Sequence, residues 1–182
     1  CNYSSKIIPP IQSRCAVFRF TRLEREDVMG ALEKIAKKEK VKITPDGLES
    51  IAYIAEGDMR QAITILQVAS TTGEKVTADT VYMTSATARP EEVLETLNLA
   101  MEGKFLQART KLDDLLIKYA LSGEDVVRQM HRAALELPLE ERRKVAIIDR
   151  IGEAEFRLSQ GSNERIQVES LLAHLALTTL KE

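Results

Sequence analysis

The sequence predicts an all-α protein of two helical domains, and three observations support this fold class. Apolar residues recur at the spacing of amphipathic helices over most of the 182 residues, between breaks rich in glycine, proline and serine. Apolar content is 44%, aromatic content is only 4% and tryptophan is absent, so the core is built from aliphatic side chains, which suit helical bundles. Only one short stretch alternates like a β-strand.

The first 20 residues predict a loop, a short helical turn and a single strand. The loop and turn occupy residues 1–15, and the strand covers Cys15–Phe20, which alternates and is rich in β-forming residues. This strand has no partner elsewhere in the sequence, and the chain begins at Cys1 rather than at methionine. We therefore expect a piece of a longer protein whose sheet lies upstream.

Four short helices are predicted next. The first begins at Thr21 or just after it and runs to about Lys40, with one apolar face formed by Val28, Leu32, Ile35 and Ala36. The second runs to about Glu56, because Thr44 is a suitable N-cap and Pro45 suits the first helical position.

Gly57 is predicted to stop the second helix, and Asp58 to cap the third. The third helix runs to about Thr72, and its core positions are Ala62, Ile63, Leu66 and Ala69. A fourth, short helix starts at Thr77-Ala78-Asp79.

Residues 85–90, Ser-Ala-Thr-Ala-Arg-Pro, are typical of a linker. The helices that follow are longer, roughly 90–102, 104–121, 123–137, 140–160 and 164–180. They are separated by Gly103, Ser122-Gly123, Pro138 and Gly161-Ser162-Asn163. The sequence therefore predicts a second domain of five helices.

Composition excludes several classes of protein. A net charge of −2 and an isoelectric point near 5.9 argue against an autonomous nucleic-acid binder. No apolar run approaches the length of a membrane span, and nothing resembles a signal peptide. Two cysteines do not make a disulfide framework. We expect a cytoplasmic protein.

Two motifs carry chemical information. Asn2-Tyr3-Ser4-Ser5-Lys6-Ile7-Ile8 runs on to Ser13-Arg14-Cys15, and Gly57-Asp58-Met59-Arg60 follows after a helix-length gap. One Asn and two arginines, each at the end of a helix or loop, form the kind of residue set that contacts a γ-phosphate. The glycine loop that cradles phosphates, Gly-x-x-x-x-Gly-Lys-[Ser/Thr], is absent from the sequence. The motifs thus indicate the C-terminal half of an ATPase.

Together these motifs resemble the replication factor C family of AAA+ clamp loaders, specifically its archaeal-type small subunits. The resemblance extends along all 182 residues and includes Leu121-Ser122-Gly123-Glu124-Asp125-Val126. It implies the end of a AAA+ ATPase core at residues 1–20, a AAA+ helical lid at 21–86 and a five-helix collar at 87–182. In the family, collars pack side by side in a ring and hold the subunits together.

The resemblance also assigns roles to three residues. Arg14 becomes an arginine finger that acts in trans on ATP bound to a neighbouring subunit, a role suited to a guanidinium that is always charged. Arg60 becomes sensor 2, which contacts the γ-phosphate of its own subunit, and Asn2 becomes sensor 1, which orients the attacking water. From the local sequence alone, both arginines remain compatible with ordinary surface positions.

Other candidate groups favour structural interpretations. His131 and His174 stand alone on helices, and Cys1 and Cys15 have no partners for a metal site or for nucleophilic catalysis. The lysines at 34, 37, 38, 40 and 42 are in reach of DNA phosphates, but a solvated helix end is the simpler interpretation because no aromatic residues are interleaved.

The predicted function is thus that of part of a DNA-replication clamp-loader subunit. The whole subunit would bind ATP and Mg and would load the sliding clamp onto primer–template DNA. Neither ATP nor Mg is expected to be bound to this chain alone. Expected partners are other small and large replication factor C subunits, joined through the collar, together with the sliding clamp and primer–template DNA. The chain is also expected to form a homo-oligomer. The expected location is the cytoplasm, near the archaeal nucleoid. Two alternatives remain: a non-enzymatic helical adaptor, and a fragment of another AAA+ ATPase.

Overall fold

The computed structural model describes residues 6–16, 18 and 20–179. The predicted all-α class is confirmed. Over the described residues the chain forms α1 Pro9–Gln12, α2 Arg25–Lys38, α3 Pro45–Ala55, α4 Met59–Ser70, α5 Ala78–Thr84, α6 Pro90–Met101, α7 Phe105–Lys118, α8 Gly123–Glu136, α9 Glu141–Ser159 and α10 Glu164–Thr179. The described backbone adds one isolated parallel bridge, between Ile43 and Val76.

The strand predicted at Cys15–Phe20 does not form in the described residues. Cys15, Ala16, Phe18 and Phe20 belong to no strand, and residues 17 and 19 lie outside the described part. Phe18 and Phe20 are 79% and 96% exposed. A strand needs a neighbour to pair its backbone N–H and C=O groups, and the described chain provides none here.

α2 begins at Arg25 rather than at Thr21, and no side chain caps it at Glu24. Leu23 donates its N–H to the carbonyl oxygen of Gly57 at 3.1 Å. This bond holds the residues before Glu24 against the α3–α4 loop, so they are not free to form a first helical turn. The predicted core face is otherwise correct, with Val28, Leu32 and Ala36 buried.

The N-caps predicted for α3 and α4 are confirmed, and Thr77, at the predicted start of the fourth helix, caps α5. Thr44 Oγ1 accepts from Gly47 N at 3.2 Å, and Thr77 accepts from Thr80 N at 3.4 Å. Asp58 Oδ1 accepts from the backbone N–H groups of both Arg60 and Gln61, at 2.9 and 3.1 Å. Each cap satisfies donors that the first helical turn leaves unpaired.

Helices α2 to α5 enclose the first core. Its buried residues are Val28, Leu32, Ala36, Ile51, Ala52, Ala55, Ala62, Ile65, Leu66, Ala69, Val76 and Val81. Ile65 is the buried isoleucine of α4, at 8% exposure, whereas the predicted Ile63 is only partly buried. The bridge between Ile43 and Val76 joins the segments that precede α3 and α5, and so fixes these two helices side by side.

Helices α6 to α10 enclose the second core. α10 packs against α6, α7, α8 and α9, while α6 contacts α7 and α8, and α8 contacts α9. The helices α7, α6, α8 and α9 therefore form an arc around α10, with α7 and α9 at its two ends. The largest fully buried side chains of this core are Leu97, Leu112, Val126, Val127, Met130, Ile151 and Leu172.

The two cores meet at α5 and the following linker. Tyr82, at 7% exposure, belongs to the second core although it lies in α5, and Ile54 of α3 packs against both cores. Ala88 of the linker donates its N–H to Gln129 Oε1 of α8 at 2.9 Å. None of the described helices has the length and apolar character needed to cross a membrane.

Candidate functional site

Arg14 lies in the turn that follows α1. Pro9 and Pro10 begin that helix, and Arg14 N donates to the carbonyl oxygen of Ile11 at 3.2 Å. The Arg14 side chain is exposed and forms no ion pair with any described residue. It is therefore presented to solvent, where a neighbouring molecule can reach it.

Arg60 lies in the first turn of α4, where its N–H is held by the Asp58 carboxylate. Its carbonyl oxygen accepts from Thr64 Oγ1 at 2.9 Å, and its side chain is exposed without an acidic partner among the described residues. A cation at a helix N-terminus meets the positive end of the helix dipole, so this position gains from a nearby anion.

Asn2 lies outside the described residues. The structure therefore locates two of the three predicted phosphate-contacting residues, each on a different element, and does not describe how the three are arranged relative to one another. In the described chain Arg14 makes local backbone contacts only, and Arg60 contacts the cap and backbone of α4.

A charged joint close to Arg60 was not predicted from the sequence. Glu56 Oε2 accepts from Arg22 Nη1 at 2.7 Å, and its Oε1 accepts from Arg132 Nη2. The Arg132 guanidinium also lies over the ring of Tyr53, 5.1 Å from its centroid. Arg22 precedes α2, Glu56 follows α3, and Arg132 is in α8, so one carboxylate joins three parts of the chain.

Position 57, directly after Glu56, requires glycine for both a steric and a conformational reason. Its φ of +81° lies in the left-handed region, and a Cβ there would lie 2.5 Å from the carbonyl oxygen of Leu23. Only glycine meets both conditions. The close approach of Leu23 holds the segment before α2 directly beside the turn that leads to Arg60.

A second charged cluster lies where the linker enters α6. Glu92 Oε1 accepts from Lys118 Nζ at 2.7 Å, and Arg89 pairs with Asp79. The hydrogen bond to Glu92 is the main cause that raises the pKa of Lys118 to about 12. Burial favours a higher pKa for Glu92, but hydrogen bonds from Lys118 and Tyr119 outweigh it and lower that pKa. Both groups are ionised at neutral pH and fasten α6 to α7.

The other candidate residues, the histidines and the lysines in and just after α2, do not form a site with one another in the described structure. His131 is exposed on α8, and among the described residues no three His, Cys, Asp or Glu side chains are grouped to hold a metal ion. The lysines at 34, 37, 38, 40 and 42 lie in the second half of α2 and just after it, where most are exposed. Positively charged side chains are favourable near a helix C-terminus. This explains the position of the lysines, and no bound ligand is needed to account for them.

Two apolar surfaces lie at the ends of the helical arc. At one end, a cleft of about 380 Å³ between α8 and α9 is lined partly by Val127, Ile148, Ile151 and Gly152. Beside it, Phe156 is 61% exposed, and a Cβ on Gly152 would meet nothing within 4 Å. At the other end, α7 exposes Leu106 and Ile117, at 74% and 82%.

Comparison with known families identifies both helical units. Residues 30–71 match the family described as RCF1/5-like, AAA+ ATPase lid domain. Residues 88–174 match the family described as Replication factor C C-terminal domain. The fold is thus that of a AAA+ lid followed by the C-terminal domain of a replication factor C protein.

Similar whole proteins carry one name, Replication factor C small subunit. The chain is 52% identical to that of Methanocella arvoryzae over 177 residues, covering 97% of this chain and 55% of the relative. It is 50% identical to that of Archaeoglobus fulgidus over 181 residues, covering 100% and 57%. The Pyrococcus furiosus protein is 54% identical over 177 residues, which is 21% of its length.

The chain is similar to replication factor C small subunits along nearly its whole length. It spans about half the length of the Methanocella and Archaeoglobus relatives and corresponds to their C-terminal part. The resemblance inferred from the Ser13-Arg14-Cys15 and Gly57-Asp58-Met59-Arg60 motifs is therefore confirmed.

Proposed function

We propose that this chain is the lid and collar part of a clamp-loader subunit, which uses ATP to open a sliding clamp and load it onto primer–template DNA. The observation that carries the proposal is the succession of a AAA+ lid and a replication factor C C-terminal domain in one chain. The division into an ATPase-core remnant at 1–20, a lid at 21–86 and a collar at 87–182 is supported by the separate cores, which divide between Val81 and Tyr82.

The two described arginines fit contact with ATP. ATP supplies a γ-phosphate whose charge grows during transfer, and exposed guanidinium groups without acidic partners are free to stabilise it. Arg60, in the first turn of α4, is proposed to contact the nucleotide of its own subunit. Arg14, on a separate turn, serves as the arginine finger for a neighbour. Asn2 is proposed as sensor 1.

The described residues offer no set of ligands for Mg²⁺. We therefore assign Mg²⁺ binding to the upstream part of the subunit, together with the phosphates. This chain contributes the contacts proposed for Arg14, Arg60 and Asn2.

The collar is proposed to join subunits head to tail. A closed ring of like subunits needs two different, complementary surfaces on each subunit. The apolar cleft between α8 and α9 and the exposed apolar face of α7 lie at opposite ends of the arc around α10 and supply such a pair. The occupants are other replication factor C subunits or further copies of this chain, working at the nucleoid.

The test of the ATPase role is Arg14→Ala in the whole subunit, which includes the upstream part that the relatives possess. We expect ATP turnover with clamp and primed DNA to fall about a thousandfold, the low end of what arginine fingers contribute. Mixing the variant with a subunit that has an intact Arg14 but no ATP site of its own should restore turnover in part, because the finger acts in trans.

Arg142→Ala is the matched control, since Arg142 is also an exposed arginine and lies in the collar. Its turnover should equal that of the wild type. Unchanged turnover in Arg14→Ala would contradict the proposal and favour the adaptor alternative.

A further inference from the structure

Glu56 is placed where the segment before α2, the lid and the collar meet. Its carboxylate receives two guanidinium groups at once, from Arg22 before α2 and from Arg132 in α8. Arg22 Nη1 also lies 3.3 Å from the Glu56 carbonyl oxygen. The hydrogen bonds to Arg22 and Arg132 span 34 and 76 positions in sequence. They are therefore tertiary links, in contrast to the local pairs found along helices.

The backbone at Glu56 is left-handed, as it also is at Lys40, Ala86 and Ala120. Its φ is 46° and its ψ 41°, in the left-handed region that Gly, Asn and Asp adopt more readily than Glu. Gly57 follows with a φ of +81°. Two successive left-handed residues end α3 sharply and turn the chain toward α4.

The collar side of this joint is held by more than charge. The Arg132 guanidinium lies 5.1 Å from the centroid of the Tyr53 ring, so it contacts α3 through the ring face as well as through Glu56. Arg132 is 31% exposed and Glu56 40%, whereas Arg22 is 74% exposed. The contact between Glu56 and Arg132 is therefore the more protected of the two ion pairs.

A short, ordered path connects Glu56 to Arg60. Asp58 N donates to the Ala55 carbonyl oxygen at 2.8 Å, which closes the turn after α3. The Asp58 side chain then holds Arg60 N at 2.9 Å. Glu56 therefore lies in the same tight turn that carries the N-cap of α4.

We propose that Glu56 is a positioning residue that sets the direction of α4, and with it Arg60, relative to the collar and to the segment before α2. The carboxylate holds the lid at one angle while both arginines are bound, and releases it when either contact breaks. Exposed ion pairs contribute little to overall stability. The joint therefore acts on the angle between two separately packed cores, and leaves each core intact.

The link to nucleotide rests on the proposed function, because it takes Arg60 as a phosphate contact. The mechanical link among α8, Glu56 and α4 does not depend on the proposed function. The two are tested separately below.

The mechanical link is tested on this chain by electron–electron distance measurement between spin labels. Labels at Gln67→Cys in α4 and Ser159→Cys in α9, with Cys1 and Cys15 replaced by serine, report the angle between lid and collar. Glu56→Gln keeps the shape of the side chain and removes its charge. We expect a broader and shifted distance distribution, with an unchanged helix content by circular dichroism.

Glu49→Gln is the matched control. Glu49 lies in α3 and, like Glu56, accepts from an arginine, in this case Arg25 at 3.0 Å, but both members of that pair are in the lid. Its distance distribution should equal the wild type. Arg132→Gln should reproduce the effect of Glu56→Gln, and the double variant should add nothing further, because both substitutions break the same contact.

The inference is overturned if the Glu56→Gln distribution matches the wild type, or if Glu49→Gln alters it equally. These measurements need no nucleotide, so they stand whatever the Arg14→Ala test gives. In the whole subunit, Glu56→Gln should then weaken ATP binding several-fold while Glu49→Gln leaves it unchanged. Equal ATP affinity of Glu56→Gln and wild type would remove the link to Arg60 and leave the proposed function untouched.

Discussion

Asp46 illustrates how a single side chain joins two lid helices. It lies in the first turn of α3, and its Oδ2 accepts from the backbone N–H of Ala78 at the start of α5, at 3.0 Å. This hydrogen bond, followed by one from Thr44, lowers the pKa of Asp46 below its ordinary value of 3.8. The carboxylate thus serves the N-termini of both helices, where negative charge is favourable.

The lowered pKa of Asp46 predicts a pH dependence. A carboxyl group whose pKa is lower in the folded state stabilises the fold above its unfolded pKa, and loses this contribution as pH falls through the folded pKa. At neutral pH, Asp46→Asn should reduce the free energy of unfolding by about 0.5–1 kcal/mol, a small value because solvent screens an exposed group. The difference between variant and wild type should shrink as pH falls below 3.8 and vanish once the pH is below the lowered pKa of Asp46.

Urea unfolding followed by circular dichroism at several pH values measures this difference. Glu74→Gln is the control, because Glu74 is an exposed lid carboxylate without a hydrogen-bond partner in the described structure. A difference for Asp46→Asn that persists undiminished at low pH would show that the charge of Asp46 is irrelevant.

Residue-level features were predictable where the interaction is local. Thr44 and Asp58 were identified as caps because each bonds to an N–H group two or three positions further on. Glu56 was not identified, because its two arginine partners lie 34 and 76 positions away and no local pattern marks them. Its one sequence signal was its place just before Gly57, at the end of a helix.

At the scale of single elements, α9 contains a glycine that its packing within the chain does not require. Gly152 lies inside a helix of 19 residues and faces the cleft beside α8, and a Cβ there would contact nothing. Glycine in a helix interior lowers stability relative to alanine. The proposed head-to-tail contact supplies a reason for it, since a partner that enters the cleft needs the space that a side chain would occupy.

This interpretation predicts opposite effects on stability and on assembly. Gly152→Ala should raise the free energy of unfolding of this chain by about 0.5–1 kcal/mol and weaken its self-association. Gly30→Ala, in α2, is a matched control, because a Cβ at Gly30 also meets nothing within 4 Å. It should stabilise the chain without changing association. Denaturant unfolding and sedimentation velocity measure the two quantities. Equal association of both variants would exclude Gly152 from the contact.

The helices of the collar were predicted to within a few residues because Gly103 and Gly161, both with positive φ, separate them visibly. The strand predicted at Cys15–Phe20 does not form in the described residues, and α2 begins only at Arg25, for a common reason. Both segments depend on contacts with distant chain, as the bond from Leu23 to Gly57 demonstrates, and propensity alone does not report such contacts.

At the scale of the whole molecule, two helical cores are joined through a small set of contacts. Tyr82 enters the collar core from the lid, Ala88 bonds to Gln129, and Glu56 bonds to Arg132. The sequence predicted both domains from periodicity, and the resemblance supplied their family. The exposed apolar surfaces of the collar were not predictable, because exposure of Phe156 and Ile117 becomes known only once the helices are packed.

The most direct test of the account is the solution mass of this chain, measured by light scattering over a wide range of concentrations. The proposed head-to-tail collar predicts that the mass rises from 20.4 kDa to a defined multiple of it as concentration increases. Phe156→Glu, which places a charge beside the cleft, should hold the mass at that of the monomer. A wild-type chain that stays at 20.4 kDa at the highest concentration would contradict the claim that the collar alone holds subunits together.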